Sequence, residues 1–331
     1  MQTVRTLLLD PRRDATALVR AAALVRAGEL VAFPTETVYG LGARVFCEAC
    51  VQRIFAVKER PVDNPLIVHI GVLADVEQVA VAIPEGFWRL AERFFPGPLT
   101  VVLRRHPRVP AVVSAGLDTV AVRMPRHPVA LELLGLVGEP IAAPSANRSG
   151  RPSPTCAEHV LQDLAGSIAA VLDGGRCEIG LESTVLDVLA QPPRILRPGA
   201  ITAEEISTVL GMPVEYWRGP VQGAVPSPGM KYRHYAPRAA VVLLPSWEAL
   251  QHWLREHPTA DPVVLAAEAP PLALPVPIRP LQPATLYAEF RRSDTEGRTH
   301  VLVLYTAAIR SQPALADRLR KAAAQEVQSQ P

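Results

Sequence analysis

Lysine is scarce in this chain: only three of the 331 residues are lysine (Lys58, Lys231 and Lys321), whereas 31 are arginine. The compact ammonium group of lysine and the planar guanidinium of arginine do not replace one another in a site. A chain that uses arginine almost everywhere can therefore keep lysine where a point charge is required, or keep a few lysines by chance. Lys58 and Lys231 are the candidates for a required lysine.

Long hydrophobic runs are also missing, and no segment approaches the roughly 18 apolar residues that cross a bilayer. The first residues, "MQTVRTLLLDPRRD", contain no apolar core of signal-peptide length. We therefore expect no membrane partner and a cytoplasmic location. The apolar content of 49% allows a large core, the length favours about two domains, and the net charge of +2 permits a polyanionic partner without requiring one.

Cysteine is limited to four residues, Cys47, Cys50, Cys156 and Cys177. Cys47 and Cys50 form a C-x-x-C, which is typical of a redox dithiol or of half a zinc site. No second C-x-x-C or nearby histidine pair completes a metal site. We therefore predict two half-buried cysteines at the start of a helix, and the sequence leaves a redox role open.

The common catalytic motifs are absent. The chain has no G-x-x-x-x-G-K-[ST], no G-x-G-x-x-G, no H-E-x-x-H and no nucleophile elbow. These absences exclude a P-loop, a classical dinucleotide site, a zinc protease of that type and an α/β-hydrolase. If the protein handles a nucleotide, it does so with side chains and irregular loops.

Apolar periodicity predicts an α/β chain with two domains. In residues 1–211, helical spacing alternates with β-branched runs, which predicts about seven strands in a large mixed sheet. Residues 212–238 are rich in Pro and Gly without a sustained period, which predicts a linker. Residues 239–331 alternate strand and helix regularly and predict a small parallel, Rossmann-like sheet, with no nucleotide assigned to it.

Polar residues collect at the predicted strand ends of the first domain, where loops on a rigid scaffold usually carry ligand groups. Cationic side chains there could neutralise a triphosphate, and hydroxyls could donate to phosphate oxygens. In "FPTETVYGLGA", Gly40 and Gly42 predict a tight turn into the next helix. Glu36 has two possible roles, to orient a substrate amine or to cap that helix. The clusters include Thr35 to Thr37, Lys58 to Asn64, His69, Thr119, Arg123, Ser145 to Ser149, Glu182 to Thr184, and Arg197.

Seven ordered segments together resemble one known family. They are "FPTETVYGLG", "KERPVDNPLIVHI", "PGPLTVVL", "TVAVRMP", "APSANRSGRPSPT", "ESTVLDV" and "ILRPGAI". In these segments the chain is similar to the L-threonylcarbamoyladenylate synthases, which have the YrdC-like fold. "SPGMKYRHYAP" and the C-terminal segment resemble the longer, two-domain form, and the resemblance runs from about residue 14 to residue 325. It implies a twisted mixed-sheet YrdC-like domain followed by a small Rossmann-like α/β domain.

The resemblance also implies a reaction. The family converts L-threonine, bicarbonate or CO2, and ATP into L-threonylcarbamoyl-AMP and pyrophosphate. A downstream tRNA threonylcarbamoyltransferase complex then modifies the adenosine next to the anticodon of tRNA. Carried over by position, the expected threonine contacts are Thr35, His69, Arg123, Ala143 and Ser183. The expected ATP contacts are Lys58, Asn64, Thr119, Ser145 and Arg197.

The chemistry of such a reaction suits these residue types. The carbamate oxygen must attack the α-phosphorus in line, which requires positioning and charge neutralisation more than covalent catalysis. We expect Lys58 and Arg60 to be catalytic. Mg²⁺ is expected to come with ATP, because no carboxylate cluster marks a protein site for it. Because carbamate is labile in water, Lys231, Tyr232 and His234 of the linker are expected to form a lid.

Two alternatives remain open. One is a related carbamoyl-adenylate-forming enzyme, in which YrdC-like modules are fused to zinc-bearing hydrogenase maturation proteins; this chain lacks their paired C-x-x-C modules. The other is an RNA-binding protein with a basic sheet face, although no RNP, KH or aromatic stacking pattern accompanies the arginines. Transient tRNA contact is compatible with the synthase. The arginines in question are Arg104, Arg105, Arg108, Arg126, Arg148 and Arg151.

Overall fold

The structure is a computed structural model that describes residues 5–218 and 235–323. These residues form two compact units, one of residues 5–149 with 153–218 and one of residues 150–152 with 235–323. Within these ranges, none of the helices combines the length and the apolar character that a bilayer crossing demands.

The first unit contains one large mixed sheet, with 12 strands among the described residues. The order across it is β1-β9-β2-β3-β8-β4-β7-β6-β10-β11-β12, and β5 pairs with β6 outside this path. The strands are β1 (Leu7–Leu9), β2 (Val31–Phe33), β3 (Gly40–Arg44), β4 (Ile67–His69), β5 (Ala80–Val81), β6 (Leu99–Arg105), β7 (Thr119–Arg123), β8 (Ile141–Ala142), β9 (Ala170–Leu172), β10 (Thr184–Asp187), β11 (Arg194–Arg197) and β12 (Glu215–Tyr216). The predicted α/β class with a large mixed sheet is confirmed, but the predicted count of about seven strands is too low.

Seven α-helices accompany this sheet in the described residues. They are α1 (Ala17–Arg26), α2 (Glu48–Lys58), α3 (Val76–Val79), α4 (Glu85–Phe94), α5 (Pro128–Val137), α6 (Ala157–Leu164) and α7 (Ala203–Leu210). Their ends follow ordinary capping chemistry: α7 begins at a Thr202–Glu205 capping box and ends at Gly211, whose φ is +69°. α6 was not predicted from the sequence.

The two faces of the sheet are covered differently. On one face the main core joins the sheet to helices α2, α4 and α7 through residues such as Val122, Ile54 and Phe87. On the other face, α1 and α5 pack over β1, β9 and β2 in a second core. Further along that second face, β4, β7, β6, β10 and β11 carry only a small apolar cluster of five buried residues. Polar side chains occupy much of the remaining surface there.

The segment after Tyr39 is a strand, and the predicted tight turn at Gly40 and Gly42 is wrong. β3 pairs antiparallel with β2, so that Phe33 lies opposite Gly40. A Cβ at Gly40 would lie 3.2 Å from Phe33 Cζ, and a Cβ at Gly42 would lie 3.0 Å from Phe33 Cε1. The two glycines therefore let the Phe33 ring pack directly on β3. The next helix, α2, begins only at Glu48 and is capped by Cys47, so the alternative that Glu36 caps it is also wrong.

The second unit is a small parallel sheet, as predicted. Its order is β13-β16-β14-β15 and every pairing is parallel. The strands are β13 (Ala240–Leu244), β14 (Pro262–Ala266), β15 (Ile278–Pro280) and β16 (His300–Leu304), and the helices are α8 (Trp247–Glu256), α9 (Leu286–Thr295), α10 (Ala307–Arg310) and α11 (Pro313–Ala323). Val242, Val264 and Leu302 form its core with Leu250 of α8. β15 lies in a stretch of the second unit that is rich in proline.

Candidate functional site

Strand alternation places the predicted polar residues on one face of the sheet. In β7, Val120 and Val122 belong to the main core, so residues 119, 121 and 123 lie on the opposite face. Thr119 and Arg123 thus flank Ala121 on the face that carries the small apolar cluster.

The register extends this face over the neighbouring strands. His69 of β4 lies opposite Arg123 of β7, and Val102 of β6 lies opposite Ala121. Because side chains alternate along each strand, Thr100 shares the face of Val102. Thr100 lies opposite Val185 of β10, which places the side chain two residues earlier, Ser183, at the same face. We call this set, His69, Thr100, Thr119, Arg123 and Ser183, the polar face.

A buried ion pair dominates one end of the polar face. Arg123 Nη2 lies 2.8 Å from Glu36 Oε1, and both side chains are less than 5% exposed. Arg123 Nη1 also donates to Thr37 Oγ1 at 2.8 Å, and Arg123 Nε donates to the carbonyl of Gly97 at 3.2 Å. Burial raises the pKa of Glu36, but the charge and hydrogen bond of Arg123 outweigh it, so that its pKa is lowered overall. Glu36 therefore stays ionised and fixes the guanidinium.

Thr35 lies in the tight loop between β2 and β3. Its Oγ1 donates to the carbonyl of Val38 at 2.7 Å and lies 2.9 Å from Thr37 Oγ1. The backbone N–H groups of Thr37 and Val38 donate to the same oxygen at 3.1 and 3.2 Å. The hydroxyl that was predicted to touch threonine is therefore a structural centre of this loop, and the loop also presents Glu36 and Thr37 to Arg123.

His69 is buried beside Arg123 and remains neutral. Burial lowers the pKa of His69, the positive charge of Arg123 lowers it further, and a backbone hydrogen bond with Ile67 opposes them, which leaves a pKa of about 3. The Phe33 ring meets the imidazole edge-on, with 5.9 Å between centroids. Nδ1 of His69 is buried and has no hydrogen-bond partner among the described residues. A buried ring nitrogen of this kind is suited to a ligand.

The neutral state of His69 predicts a pH effect on stability. In the unfolded chain, His69 has an ordinary pKa of 6.5 and binds a proton below that pH. In the folded protein its pKa is about 3, so the imidazole stays neutral over the range between these two values. The free energy of unfolding should therefore fall as the pH is lowered through this window, by at most about 1.4 kcal/mol per pH unit. Denaturant unfolding measures the free energy of unfolding from about pH 7 to about pH 4. This free energy should decrease less with falling pH in His69→Gln than in the unaltered protein. Equal slopes would contradict a buried neutral His69.

Ser183 and Arg197 meet at the other side of the polar face. Arg197, the last residue of β11, donates to the Ser183 carbonyl through Nε and to Ser183 Oγ through Nη2, both at 3.1 Å. Ser183 Oγ also lies 2.7 Å from Thr100 Oγ1. A Cβ at Gly199 would lie 2.1 Å from the backbone nitrogen of Thr184, so only glycine lets the chain pass here. This predicted threonine contact and this predicted ATP contact are thus direct neighbours.

Lys58 is fully buried at the end of α2. Its Nζ donates to the carbonyl of Ser145 at 2.6 Å and to the carbonyl of Asn147. The backbone carbonyl of Lys58 accepts from the N–H of Ser149 at 3.0 Å. Lys58 therefore organises the loop after β8, and Ser145 is bridged in turn to Gly40 of β3. This loop begins at Ala143, whose N–H donates to the Ile67 carbonyl in β4 at 2.9 Å.

Arg60 and Asn64 form a second small cluster. Arg60 donates through Nε to the Asn64 carbonyl at 3.1 Å and through Nη2 to the Pro65 carbonyl at 2.9 Å. The Asn64 side chain is buried, and its Oδ1 has no hydrogen-bond partner among the described residues. Thr119 begins β7 and is half-buried. It shares a face with Arg123 but lies four residues away, roughly 13 Å along the strand.

The structure thus brings most of the predicted residues to one region of the first unit. His69 lies opposite Arg123, and Ser183 bonds with Arg197. Lys58, Ala143 and Ser145 meet at the loop after β8. Thr119 stands at the far end of its strand. The predicted lid residues Lys231, Tyr232 and His234 lie outside the described residues.

Four polar residues of the site were not assigned a role by sequence reasoning. Glu36 was left between two roles, and Thr37, Thr100 and Asn147 were not chosen. Thr100 did have a signal, because it is a hydroxyl inside the otherwise apolar start of β6, "LTVVL". Asn147 had none beyond its place in "PSANRSG", since its contact with Lys58 is made by the backbone carbonyl.

The arginines of the RNA-binding alternative are largely tied to partners within the first unit. Arg126 pairs with Glu178 at 2.9 Å, and Arg105 donates to the Leu117 carbonyl at 3.1 Å. The Arg108 guanidinium lies 4.7 Å from the centre of the Phe46 ring. Arg104 pairs with Asp118 and Arg148 with Glu59. These arginines form ordinary surface pairs more than one continuous basic face.

Comparison with known proteins identifies the family of each unit. The family model Sua5_yciO_yrdC, described as telomere recombination, matches residues 23–199. The model Sua5_C, described as threonylcarbamoyl-AMP synthase, C-terminal domain, matches residues 201–324. Together they account for most of the chain.

Two relatives named threonylcarbamoyl-AMP synthase are similar over much of the chain. The protein of Pyrococcus abyssi is 54% identical over 228 residues, which are 68% of this chain and 66% of the relative. The protein of Bacillus subtilis is 51% identical over 244 residues, which are 72% of this chain and 70% of the relative. The matched segments thus span about two thirds of the length of these relatives.

Two solved structures share the fold. The crystal structure of P. abyssi Sua5 complexed with L-threonine matches with a TM-score of 0.87 and 40% identity, over 96% of this chain and 97% of that chain. Escherichia coli YciO matches with a TM-score of 0.54 and 21% identity, over 61% of this chain and 99% of that chain, which supports the fold alone. The chain belongs to the Sua5/YciO/YrdC family, in the form that carries the C-terminal domain of threonylcarbamoyl-AMP synthases.

Proposed function

We propose that this protein makes L-threonylcarbamoyl-AMP from L-threonine, bicarbonate or CO2, and ATP, with release of pyrophosphate. The observation that carries the proposal is the match over 96% of this chain to a Sua5 structure that is complexed with L-threonine. The polar face of the first unit supplies suitable chemistry. Its buried cation is suited to bind the carboxylate of an amino acid. Its neutral imidazole and its hydroxyls are suited to hydrogen-bond the amine and hydroxyl groups.

Threonine is proposed to contact Thr35, His69, Arg123, Ala143 and Ser183. Arg123 is the cation for the carboxylate of threonine, because guanidinium binds carboxylate in a fixed geometry. Glu36 compensates its charge in the absence of substrate. His69 is held neutral, with a pKa of about 3, so it adds no second positive charge and offers ring nitrogens for hydrogen bonds.

The first step of the proposed reaction requires the neutral form of the threonine amine. Arg123 is paired with Glu36 and is assigned to the threonine carboxylate, so its charge is compensated and does not by itself remove the proton of the amine. The neutral amine attacks CO2 and loses a proton, or attacks bicarbonate and releases water. The product is a carbamate, whose oxygen is the nucleophile of the next step.

ATP is proposed to contact Lys58, Asn64, Thr119, Ser145 and Arg197, with Lys58 and Arg60 acting as the catalytic cations. The carbamate oxygen attacks the α-phosphorus and the bond to pyrophosphate breaks, so negative charge grows on the leaving group. Lysine and arginine side chains stabilise that charge electrostatically. Asn64 Oδ1, buried without a partner among the described residues, is available to a nucleotide donor.

Mg²⁺ is proposed to come with ATP and not from a protein site. Among the residues that the structure describes, no three His, Cys, Asp or Glu side chains come close enough together to hold a metal ion. The cationic side chains of the site are suited to phosphate oxygens and do not suit a metal.

The product is proposed to pass to a tRNA threonylcarbamoyltransferase complex in the cytoplasm, with transient tRNA contact at most. The family name of the C-terminal domain supports the carbamoyl-adenylate product. The surface pairing of the arginines described above favours this synthase over a dedicated RNA-binding protein. The acceptor of the threonylcarbamoyl group is then the adenosine next to the tRNA anticodon.

Isotope labelling tests the proposed reaction. The full chain is incubated with ATP, L-threonine and ¹³C-bicarbonate, and the nucleotides are separated and weighed by mass spectrometry. We expect threonylcarbamoyl-AMP to form. The product made with labelled bicarbonate should be heavier, by the mass of the isotope label, than the product made with unlabelled bicarbonate. A nucleotide product without the label, or none with all three substrates present, would contradict the proposal.

A further inference from the structure

Cys47 and Cys50 lie at the start of α2, away from the chemistry assigned above. Cys47 is the residue that caps the helix, with extended backbone angles (φ −100°, ψ 93°), and Cys50 is its third helical residue. Their sulfur atoms are bonded in a disulfide, with 5.2 Å between the Cα atoms. The C-x-x-C, predicted to be two half-buried cysteines at a helix start, is therefore a covalent pair.

The other two cysteines are less exposed than Cys47, although Cys156, like Cys47, is the residue that caps a helix, in this case α6. Cys156 and Cys177 are buried and unbonded. Burial raises the pKa of Cys156 to about 11, and burial also raises the pKa of Cys177. Since the thiolate is the reactive form of cysteine, these two thiols are poor nucleophiles. They serve as internal references for the reactivity of the pair.

The two sulfurs of the pair are unequally accessible. Cys47 is half-buried and is followed by the exposed residues Glu48 and Ala49, whereas Cys50 is only 6% exposed. A Cβ at Gly28 would lie 3.2 Å from Cys50 Sγ, so the turn after α1 covers that sulfur. Cys47 is therefore the more accessible residue of the pair for an incoming thiolate.

The helix start also stabilises a thiolate at Cys47. Its Sγ accepts a hydrogen bond from the backbone N–H of Cys50 at 3.3 Å. The first N–H groups of a helix and the helix dipole favour negative charge at this position. Glu48 opposes this, as the acidic residue of the first turn, but its side chain is exposed. Accessible, stabilised sulfur beside a covered one is the arrangement of exchange-active C-x-x-C pairs.

We propose that Cys47 and Cys50 are a redox site that cycles between disulfide and dithiol by exchange with a dithiol reductant. A reductant thiolate attacks Cys47 Sγ, the bond between the two protein sulfurs breaks, and the electron pair leaves on Cys50 Sγ, which takes a proton. The second thiol of the reductant then attacks the first reductant sulfur, which is bonded to Cys47 Sγ in the mixed disulfide. This step releases Cys47 as a thiol. The protein gains two electrons and two protons, and the reductant becomes a disulfide.

Exchange at this site leaves the fold in place. The bond joins only the cap and the third residue of the helix, so reduction frees the first turn. The rest of α2 is anchored in the main core by Val51, Ile54 and Phe55. Lys58 lies eight residues further along, roughly 12 Å from Cys50. The redox state can thus be measured in the native protein, independently of the proposed synthesis.

Redox titration of the full chain tests the proposal. The protein is equilibrated in buffers of varying dithiothreitol to oxidised dithiothreitol ratio, the thiols are trapped with iodoacetamide, and peptides are quantified by mass spectrometry. We expect Cys47 to gain its label in one two-electron transition, and the covered Cys50 thiol of the same samples to be labelled only after denaturation. A parallel arm with a reduced protein dithiol of the thioredoxin type shows whether a protein as well as a small molecule serves as reductant. Cys156 and Cys177 should stay unlabelled until the protein is denatured.

Two results would overturn the proposal. Either Cys47 carries a label in fully oxidised buffer, or excess dithiol fails to expose Cys47 to the label until denaturant is added. Single variants give an independent measurement in the native state. In Cys50→Ser, Cys47 should be alkylated at least roughly ten-fold faster than Cys156, while in Cys47→Ser the remaining Cys50 should be as slow as Cys156. If Cys47 in Cys50→Ser reacts no faster than Cys156, the site is not exchange-active.

Discussion

Replacing Lys58 by alanine is expected to lower threonine-dependent pyrophosphate release by one to two orders of magnitude. The ammonium group is buried and donates to the Ser145 and Asn147 carbonyls, so its removal takes away a cation and leaves two carbonyls without this donor. Charge-assisted hydrogen bonds of about 1.5–3 kcal/mol correspond to roughly ten-fold to more than a hundred-fold in rate or affinity. The measurement is steady-state pyrophosphate release at varied ATP.

The matched control for Lys58→Ala is Arg53→Ala on the same helix. Arg53 is exposed and pairs with Glu29 at 2.7 Å on the surface, so its loss should leave pyrophosphate release within about two-fold. Thermal unfolding of both variants shows whether α2 remains folded. Wild-type kinetics in a folded Lys58→Ala protein would remove Lys58 from the ATP site.

Replacing Arg123 by alanine is expected to abolish threonine-dependent activity and to destabilise the fold by about 3 to 5 kcal/mol. The substitution leaves Glu36, which is 3% exposed, as a buried carboxylate without its counter-charge. It also removes the donor to Thr37 Oγ1 and the cation proposed for the threonine carboxylate. Denaturant unfolding measures the stability, and threonine titration measures binding.

A double variant separates the two effects of losing Arg123. In Arg123→Ala with Glu36→Gln the uncompensated charge is gone, so much of the lost stability should return while threonine use stays lost. The control is Arg126→Ala, because the Arg126–Glu178 pair is exposed on both sides and contributes at most about 1 kcal/mol. Recovery of threonine use in the double variant would contradict the assignment of Arg123 to the substrate carboxylate.

The sequence predicts best the elements whose local pattern and tertiary surroundings agree. β6 spans Leu99–Arg105, "LTVVLRR", where the β-branched density that predicts a strand and the burial of the strand agree. β3 was missed because glycine has low strand propensity, and its place depends on the Phe33 ring packing on Gly40 and Gly42. For α6, Ala157, Val160 and Leu164 have helical spacing, but the Pro-rich "RPSPT" before them is typical of a loop.

The residues of the site were predictable from local sequence, but the contacts between them were not. Residue types and strand ends were sufficient to select the cations and hydroxyls, and alternation predicts that Thr119 and Arg123 share a face. The register that sets His69 against Arg123 joins strands that are distant along the chain, so no local pattern contains it. The same holds for the Glu36–Arg123 pair: a carboxylate in a loop shows its role only when its partner is known.

Pyrophosphate release with and without threonine tests the central claim most directly. The full chain is supplied with ATP and bicarbonate, and pyrophosphate is measured before and after L-threonine is added, with a parallel sample from which bicarbonate has been removed. The polar face and the family membership predict release only when threonine and bicarbonate are both present. Release that is unchanged when threonine is omitted would contradict the assignment of this protein as a threonylcarbamoyl-AMP synthase.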